Sequence, residues 1–337
     1  MKAVVLHETG DVKHLKVEEI DYPKPVAGEV TIKIRAAALN HRDLWIVQGK
    51  YAKIQLPAVL GSDGTGTVHE VGEGVDRAWL NREVVINPTL DWGNNPRFQQ
   101  KTFQILGMPR RGTLAEYVAV PVTNVHPKPS HLSFEEAAAI PLGGVTGYRA
   151  LFTRGQLKAG ETCLITGIGG GVSSLIMQMA LAAGANVLVT SGSGGKIERA
   201  VEMGVLGGAN YTQEGWPQKL QALAGSRGID LVVDSAVGPG FPELIELVNY
   251  GGRIVVYGVT SGNPGGLNFR RIFWKQINLL GTTMGTSLDF ENMIRLFESK
   301  NLHPFIDEVF LFENHRQAFQ RMLDGKQAGK IVLKWSR

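Results

Sequence analysis

Between Thr162 and Lys196 the chain joins an apolar run, a cluster of glycines and a hydroxyl-rich segment that ends in a cation. The first part reads Thr162-Cys163-Leu164-Ile165-Thr166-Gly167-Ile168-Gly169-Gly170-Gly171-Val172-Ser173-Ser174. A strand, a glycine-dense turn and a helix in that order build an anion site. Backbone N–H groups converge at the helix start, and no side chain blocks a pyrophosphate. An amphipathic stretch to Gly184 and a second apolar run, Asn186 to Thr190, complete one strand–helix–strand unit of about thirty residues.

The glycine spacing departs from G-x-G-x-x-G. Gly167 and Gly169 open it, but Val172 stands where a third glycine would be. Read one residue longer, Gly167-x-x-Gly170-x-x-Ser173 puts a small residue at each point that needs one. Gly167, Gly170, Gly171 and Val172 are the expected phosphate contacts, and Ser173 lets the helix approach the sheet. A ligand-free turn is the competing reading; the entropic cost of so permissive a segment argues against it.

The second run ends where a cofactor selector belongs. A carboxylate there accepts hydrogen bonds from the adenosine ribose of NAD. This chain instead reads Ser191-Gly192-Ser193-Gly194-Gly195-Lys196, with Arg199 one turn on and no carboxylate before Glu198. Hydroxyls and a cation hold a 2′-phosphate that a carboxylate would repel. Ser191, Ser193 and Lys196 therefore point to NADPH rather than NADH. The alternative is that Lys196 and Arg199 merely form a solvated helix start.

These groups need a scaffold, and 337 residues are enough for two domains with their own cores. Apolar residues make up 43% and charged residues 20%, an ordinary globular composition. A net charge of +4 without a long basic run suits anionic ligands and does not imply nucleic acid. One cysteine, Cys163, excludes an internal disulfide and a multi-cysteine metal site, and its place in a strand predicts a buried, inert thiol. The start, Met-Lys-Ala-Val-Val-Leu-His-Glu, is too short in apolar residues for a signal segment. Ser174 to Val189 carries Gln178 and is interrupted by Gly184, so no membrane partner and a cytoplasmic location are expected.

Residues 1–125 read as short strands between turns: 2–7, 15–20, 29–38, 64–71 and 83–87. Alternation in Val30-Thr31-Ile32-Lys33-Ile34-Arg35 predicts a half-buried strand. Punctuation such as Tyr22-Pro23-Lys24-Pro25 suits a barrel-like β unit. At Ser133-Phe134-Glu135-Glu136 the pattern changes to a capped helix. Beyond Lys196, helices expected near 196–203, 216–223 and 242–248 alternate with strands near 209–211, 230–234, 253–257 and 276–281. That alternation predicts a doubly wound parallel sheet of α/β class. A helix at 290–299, a strand near 309–311, a helix at 315–323 and a strand at 330–335 close the chain. The polar stretch 91–101 is the expected flexible loop.

With these pieces assembled, the whole chain resembles the medium-chain dehydrogenase/reductase superfamily. Gly61-Ser62-Asp63-Gly64-Thr65-Gly66-Thr67-Val68 with Val71-Gly72-Glu73-Gly74-Val75 is similar to the family's turn after its first catalytic segment. Ala138-Ala139-Ile140-Pro141-Leu142-Gly143-Gly144-Val145-Thr146-Gly147-Tyr148 is similar to its domain-entry helix, and Gly329-Lys330-Ile331-Val332-Leu333 to its closing strand. The resemblance implies a GroES-like, mainly-β catalytic domain from 1–125 and 287–337. A Rossmann domain would occupy 126–286.

Zinc-containing relatives place Cys, His followed by Glu, and a second Cys around a catalytic metal. Here Asn40, Ser62-Asp63 and Leu142 stand at those places, and the segment matching the structural-zinc loop, Asp91–Phe103, has no cysteine. Asn, Ser and Leu do not make a closed Zn²⁺ set, so no metal is expected. His41, Asp43 and Asp63 holding an ion is the weaker alternative. The likeness to zinc-free quinone reductases implies Asn40 and Ser62 as donors to a substrate oxygen and Asp43 as a group orienting Asn40 or binding the nicotinamide side. Trp45 would be a pocket wall, although Trp45 and Tyr51 also read as plain core aromatics. His41 reads as a proton donor or a structural histidine. Thr146 would lie by the nicotinamide, Tyr211 by the adenosine phosphate, Val237, Gly258 and Val259 along the crevice, and Lys330 on a phosphate.

Without a Lewis acid, reducing an electron-poor double bond or quinone needs only a hydride source, a pocket and a donor for the developing oxyanion. The expected function is NADPH-dependent, zinc-independent hydride transfer to a quinone or α,β-unsaturated carbonyl. Alternatives are an alcohol or aldehyde dehydrogenase and a non-catalytic, crystallin-like NADPH-binding protein. A homodimer through the sheet edge near Gln276–Gly281 is implied by the resemblance.

Overall fold

A computed structural model describes residues 1–336 and divides them into two units, Met1–Val145 with Gly285 onward, and Thr146–Met284. The first break falls at Val145. The short helix Phe134–Ala138, capped by Ser133, lays Ala138 and Ala139 on Ala36, Ala38 and Val332 of the first unit's sheet. The Ser133 hydroxyl accepts from the Glu136 N–H at 3.1 Å and the Glu136 carboxylate accepts from the Ser133 N–H at 2.9 Å, the reciprocal cap its sequence predicts.

In the first unit, strands run in the order Val125–Pro127, Glu83–Ile86, Asp63–Val71, Glu29–Ala38, Lys330–Lys334, Ile306–Leu311, with Tyr117–Pro121 also on Glu29–Ala38. Leu15–Glu19, Lys2–Leu6 and Ala58–Val59 form a smaller sheet. Register here decides chemistry. Ala38 lies opposite both Asp63 and Val332 on its two antiparallel neighbours. The ladder continues through the Leu39 N–H to the Ile331 carbonyl at 3.0 Å. Asn40, Asp63 and Lys330 therefore emerge at one end of three adjacent strands. The alternation read in 30–35 holds at Lys33 and Arg35, which are exposed, but Thr31 is buried with its hydroxyl on the Pro23 carbonyl at 2.7 Å.

The second unit is a parallel sheet in the order Gly207–Asn210, Asn186–Ser191, Thr162–Ile165, Ile229–Asp234, Val248–Val256, Asn278–Gly281. Numbered within the unit, that order is 3-2-1-4-5-6, the doubly wound arrangement. Cys163, Leu164, Ile165, Leu188, Val232 and Ile254 have no exposed surface, as a sheet covered on both faces requires. Burial pushes the Cys163 thiol pKa up. The helix Phe269–Trp274, absent from the sequence reading, leaves Phe269, Phe273 and Trp274 more than 60% exposed beside the edge strand Asn278–Gly281. Among the described residues, no helix is long and apolar enough to cross a membrane.

Candidate active site

In the first unit, the end of the central strand holds a buried network of four charges and an amide. Lys330 is 2% exposed and donates from Nζ to Asn40 Oδ1 at 2.7 Å and Asp63 Oδ2 at 2.8 Å. Asp63 Oδ2 also accepts from Asn40 Nδ2 at 2.9 Å, and Oδ1 accepts from the Leu142 N–H at 2.7 Å. Asp43, the third residue of the helix His41–Val47, accepts from the Asn40 N–H at 2.9 Å and the Gly61 N–H at 3.2 Å. Full burial raises the Asp43 pKa; the neighbouring Arg42 charge and the Asn40 hydrogen bond oppose that rise. Arg42 and Lys330 balance Asp43 and Asp63, so the buried set is neutral as a whole.

Two side chains singled out from sequence are engaged within the fold. Lys330, read as a phosphate contact, has its ammonium on Asn40 and Asp63. Ser62, read as a substrate donor, gives its single proton to the Leu106 carbonyl at 2.7 Å and accepts from Arg42 Nη1 at 2.7 Å. Arg42 also donates to that carbonyl at 2.9 Å and packs over the Tyr51 ring at 5.2 Å. Asn40 keeps one Nδ2 hydrogen beyond its bond to Asp63, since an amide has two donors. Trp45 is half-buried, 6.0 Å from the His41 ring. Desolvation of the His41 ring, then the Lys330 charge, lowers its imidazole pKa even though the residue remains exposed in outline.

The glycine turn of the second unit combines left-handed backbone with an uncapped helix start. Gly167 and Gly169 have φ of 65° and 104°, a region that side chains rarely enter. The helix Gly171–Ala182 begins directly after Gly170 with no side chain capping its start. Ser173 Oγ ties the turn to the helix by donating to the Gly167 carbonyl at 2.9 Å. The Ile168 N–H is bonded to the Thr190 carbonyl at 2.7 Å, pinning the turn to the second strand. The longer spacing read from sequence thus has a physical basis in Ser173.

At the selector, Ser191 is 4% exposed; its hydroxyl donates to the Ile168 carbonyl at 3.2 Å and accepts from the Ser193 N–H at 3.2 Å. Its proton is used within the fold. Ser193 and Arg199 are exposed, and Lys196 runs across the turn: a Cβ at Gly169 would lie 2.4 Å from Lys196 Cδ. Tyr211 is 52% exposed, its hydroxyl close over Gly192.

At the carboxyl ends of the later strands, buried Asp234 accepts from the Thr166 hydroxyl and from the Val237 N–H at 2.7 Å. Val237 has φ of 56°, a costly conformation for a β-branched residue that the Asp234 bond holds. Gly258 packs against Ser235, and Val259 is 49% exposed. Thr146 is buried with its hydroxyl 3.9 Å from Met284 Sδ. The sequence reading overlooked Asp234, although an Asp ending an apolar strand is a visible signal.

Two family models match the chain. Residues 26–130 match the alcohol dehydrogenase GroES-like domain, and 171–299 match the zinc-binding dehydrogenase domain. A zinc-type alcohol dehydrogenase-like protein of Schizosaccharomyces pombe is 33% identical, covering 99% of both chains. The chain belongs to the medium-chain dehydrogenase/reductase superfamily. Acryloyl-coenzyme A reductase of Metallosphaera sedula is 32% identical over 99% of both chains. A crystal structure of an NAD-dependent alcohol dehydrogenase superposes with a TM-score of 0.94 at 38% identity, covering 100% of each chain. The family's nicotinamide chemistry makes this chain an oxidoreductase with a dinucleotide-binding fold.

The residues present do not fit a catalytic zinc. Of Asn40, Ser62, Asp63 and Leu142, Asp63 alone carries a good Zn²⁺ donor, and its oxygens are engaged by Lys330, Asn40 and Leu142. In the segment Asp91–Phe103 an aromatic contact stands where thiolates would. Trp92 meets Phe103 edge-on at 5.6 Å and donates from Nε1 to the Asn95 carbonyl at 2.9 Å. Among the described residues, no three His, Cys, Asp or Glu side chains form a metal-binding group.

Proposed function

We propose that this protein is an NADPH-dependent, zinc-independent reductase of α,β-unsaturated carbonyls or quinones. The observation that carries the reading is the Asn40 amide, held between a buried ammonium and a buried carboxylate where zinc relatives have a metal ligand. The glycine turn from Gly167 to Val172 fits a dinucleotide pyrophosphate, and Lys196 with Ser193 fits a 2′-phosphate. Reduced nicotinamide supplies the hydride when bound. That chemistry would place negative charge on the conjugated carbonyl oxygen. The remaining Asn40 Nδ2–H donates to that oxygen, and preorganised donation of this kind lowers the barrier without a Lewis acid. Trp45 walls the substrate, Asp43 fixes the Asn40 backbone, and Thr146, Val237, Gly258, Val259 and Tyr211 line the cofactor. Support from relatives comes from the Metallosphaera reductase, whose name denotes reduction of an acryloyl thioester.

An alcohol dehydrogenase reading is favoured by the name of the 38% identical structural relative. NADPH consumption against quinones, enones and aldehydes in metal-free buffer separates the two. Turnover of enones or quinones that survives a chelator supports the proposal. Simple alcohol oxidation abolished by the chelator would replace it.

We also propose a homodimer. Tyr250, Phe269, Phe273 and Trp274 are each at least 66% exposed, and Leu279 on the adjacent edge strand is 38% exposed. An edge strand beside so many bare aromatics suits pairing with a second copy.

A further inference from the structure

We propose that Lys330 is the positioning residue of the polar site, its buried ammonium locking the Asn40 carboxamide so that one Nδ2–H is held for a substrate oxygen. The lock itself follows from geometry; only its use on a substrate rests on the reductase reading.

A carboxamide fits its space nearly as well after a half-turn, so hydrogen-bond partners decide its orientation. Here Oδ1 faces the Lys330 ammonium at 2.7 Å and Nδ2 faces Asp63 Oδ2 at 2.9 Å. The half-turn would set N–H against N–H at Lys330 and oxygen against oxygen at Asp63. Both contacts are repulsive, and in a buried site little water screens them. Asp63 alone supplies half of this discrimination, and without Lys330 its charge would be left without a counter-ion. The backbone is fixed as well, by Asp43 on the Asn40 N–H at 2.9 Å and by the Leu39 N–H on Ile331 at 3.0 Å. Hydrogen bonds in such a chain polarise one another, so an ammonium on Oδ1 makes the Nδ2–H a stronger donor. The Lys330 side chain is 3% exposed, which suits a role exerted through Asn40 rather than on a ligand.

The test pairs kinetics with side-chain amide NMR. Lys330→Met keeps the length and removes the charge. It is expected to lower kcat on the best acceptor by about 100-fold, the scale of losing one oxyanion donor, with KM changed less than about threefold. In an Asn40→Ala background the same change is expected to cost less than about threefold more, because Lys330 acts through Asn40. The Asn40 side-chain amide, seen in ¹⁵N-asparagine-labelled protein, is expected to move or broaden in Lys330→Met. Additive kinetic losses, or an unmoved amide signal, would overturn the proposal. If Lys330→Met does not fold, Lys330→Ala with methylammonium takes its place. Recovery of the wild-type amide signal by methylammonium supports the lock, and failure to recover it counts against the lock. The NMR arm needs no turnover. A locked amide in a protein that reduces no enone or quinone would sink the functional reading and spare this one.

Discussion

Replacing Asp63 by Asn is a direct probe of the buried charges. Asp63 has no exposed surface and accepts from Lys330 at 2.8 Å, Asn40 at 2.9 Å and Leu142 at 2.7 Å. An Asn keeps the bond from Leu142 but turns an amide N–H toward an ammonium that now lacks a counter-ion. Removing one partner of a buried pair costs about 3–5 kcal/mol. For a unit of this size each kcal/mol lowers Tm by about 2–4 °C, so a fall of about 10 °C is expected by calorimetry. Lys330→Met alone should cost a similar amount, and additivity would then put an Asp63→Asn, Lys330→Met double variant about 6–10 kcal/mol down. Coupling predicts otherwise. Removing both charges leaves only the Asn40 amide short of partners, a cost of about 1–3 kcal/mol. The double variant should therefore be no less stable than either single one. A double variant at the additive value, or an Asp63→Asn shift below about 2 °C, would refute the claim that these charges stabilise each other.

Lys196→Ala should weaken NADPH binding about 10–100-fold, the worth of a charge-assisted bond to phosphate, and leave NADH within about threefold; calorimetric titration of both cofactors reads the difference. His126, half-buried against Phe290 at 4.8 Å, has its pKa lowered from 6.5 by burial, a shift that the Glu291 charge opposes. The unfolded chain then binds more protons below 6.5, so the stability due to a neutral ring is present above that pH and lost as pH falls. His126→Phe should flatten the unfolding free energy against pH between 7 and 5 by up to about 1.4 kcal/mol per pH unit, read by denaturant titration, and an unchanged slope would count against it. Phe273→Asp with Leu279→Lys should turn a dimer into a monomer by light scattering, while a wild-type monomer would end the edge-pairing proposal.

Much of the scaffold was legible from one-dimensional pattern. The strand Glu29–Ala38 and the helix His315–Leu323 fall where alternation and helical spacing put them, and the Ser133 cap forms as its sequence predicts. The parallel sheet followed from apolar runs alternating with amphipathic ones, because such strands are buried on both faces and need helices to cover them. The helix Phe269–Trp274 was not legible, since bare aromatics on a surface helix contradict the pattern that signals one.

The chain by itself determined the glycine turn, the missing acidic selector and the replacement of thiolate and imidazole at the metal positions, because backbone freedom and donor chemistry belong to residue type. Only the tertiary structure decided what the polar side chains do with that chemistry. Lys330 meets Asp63 across 267 residues and Asn40 across 290, a meeting set by strand register. Ser62 and Ser191 are donors by type, yet each hydroxyl proton goes to a carbonyl that folding brings within reach, at 2.7 and 3.2 Å. A side chain's identity lists the bonds it can make; burial and the neighbours that arrive with it choose among them.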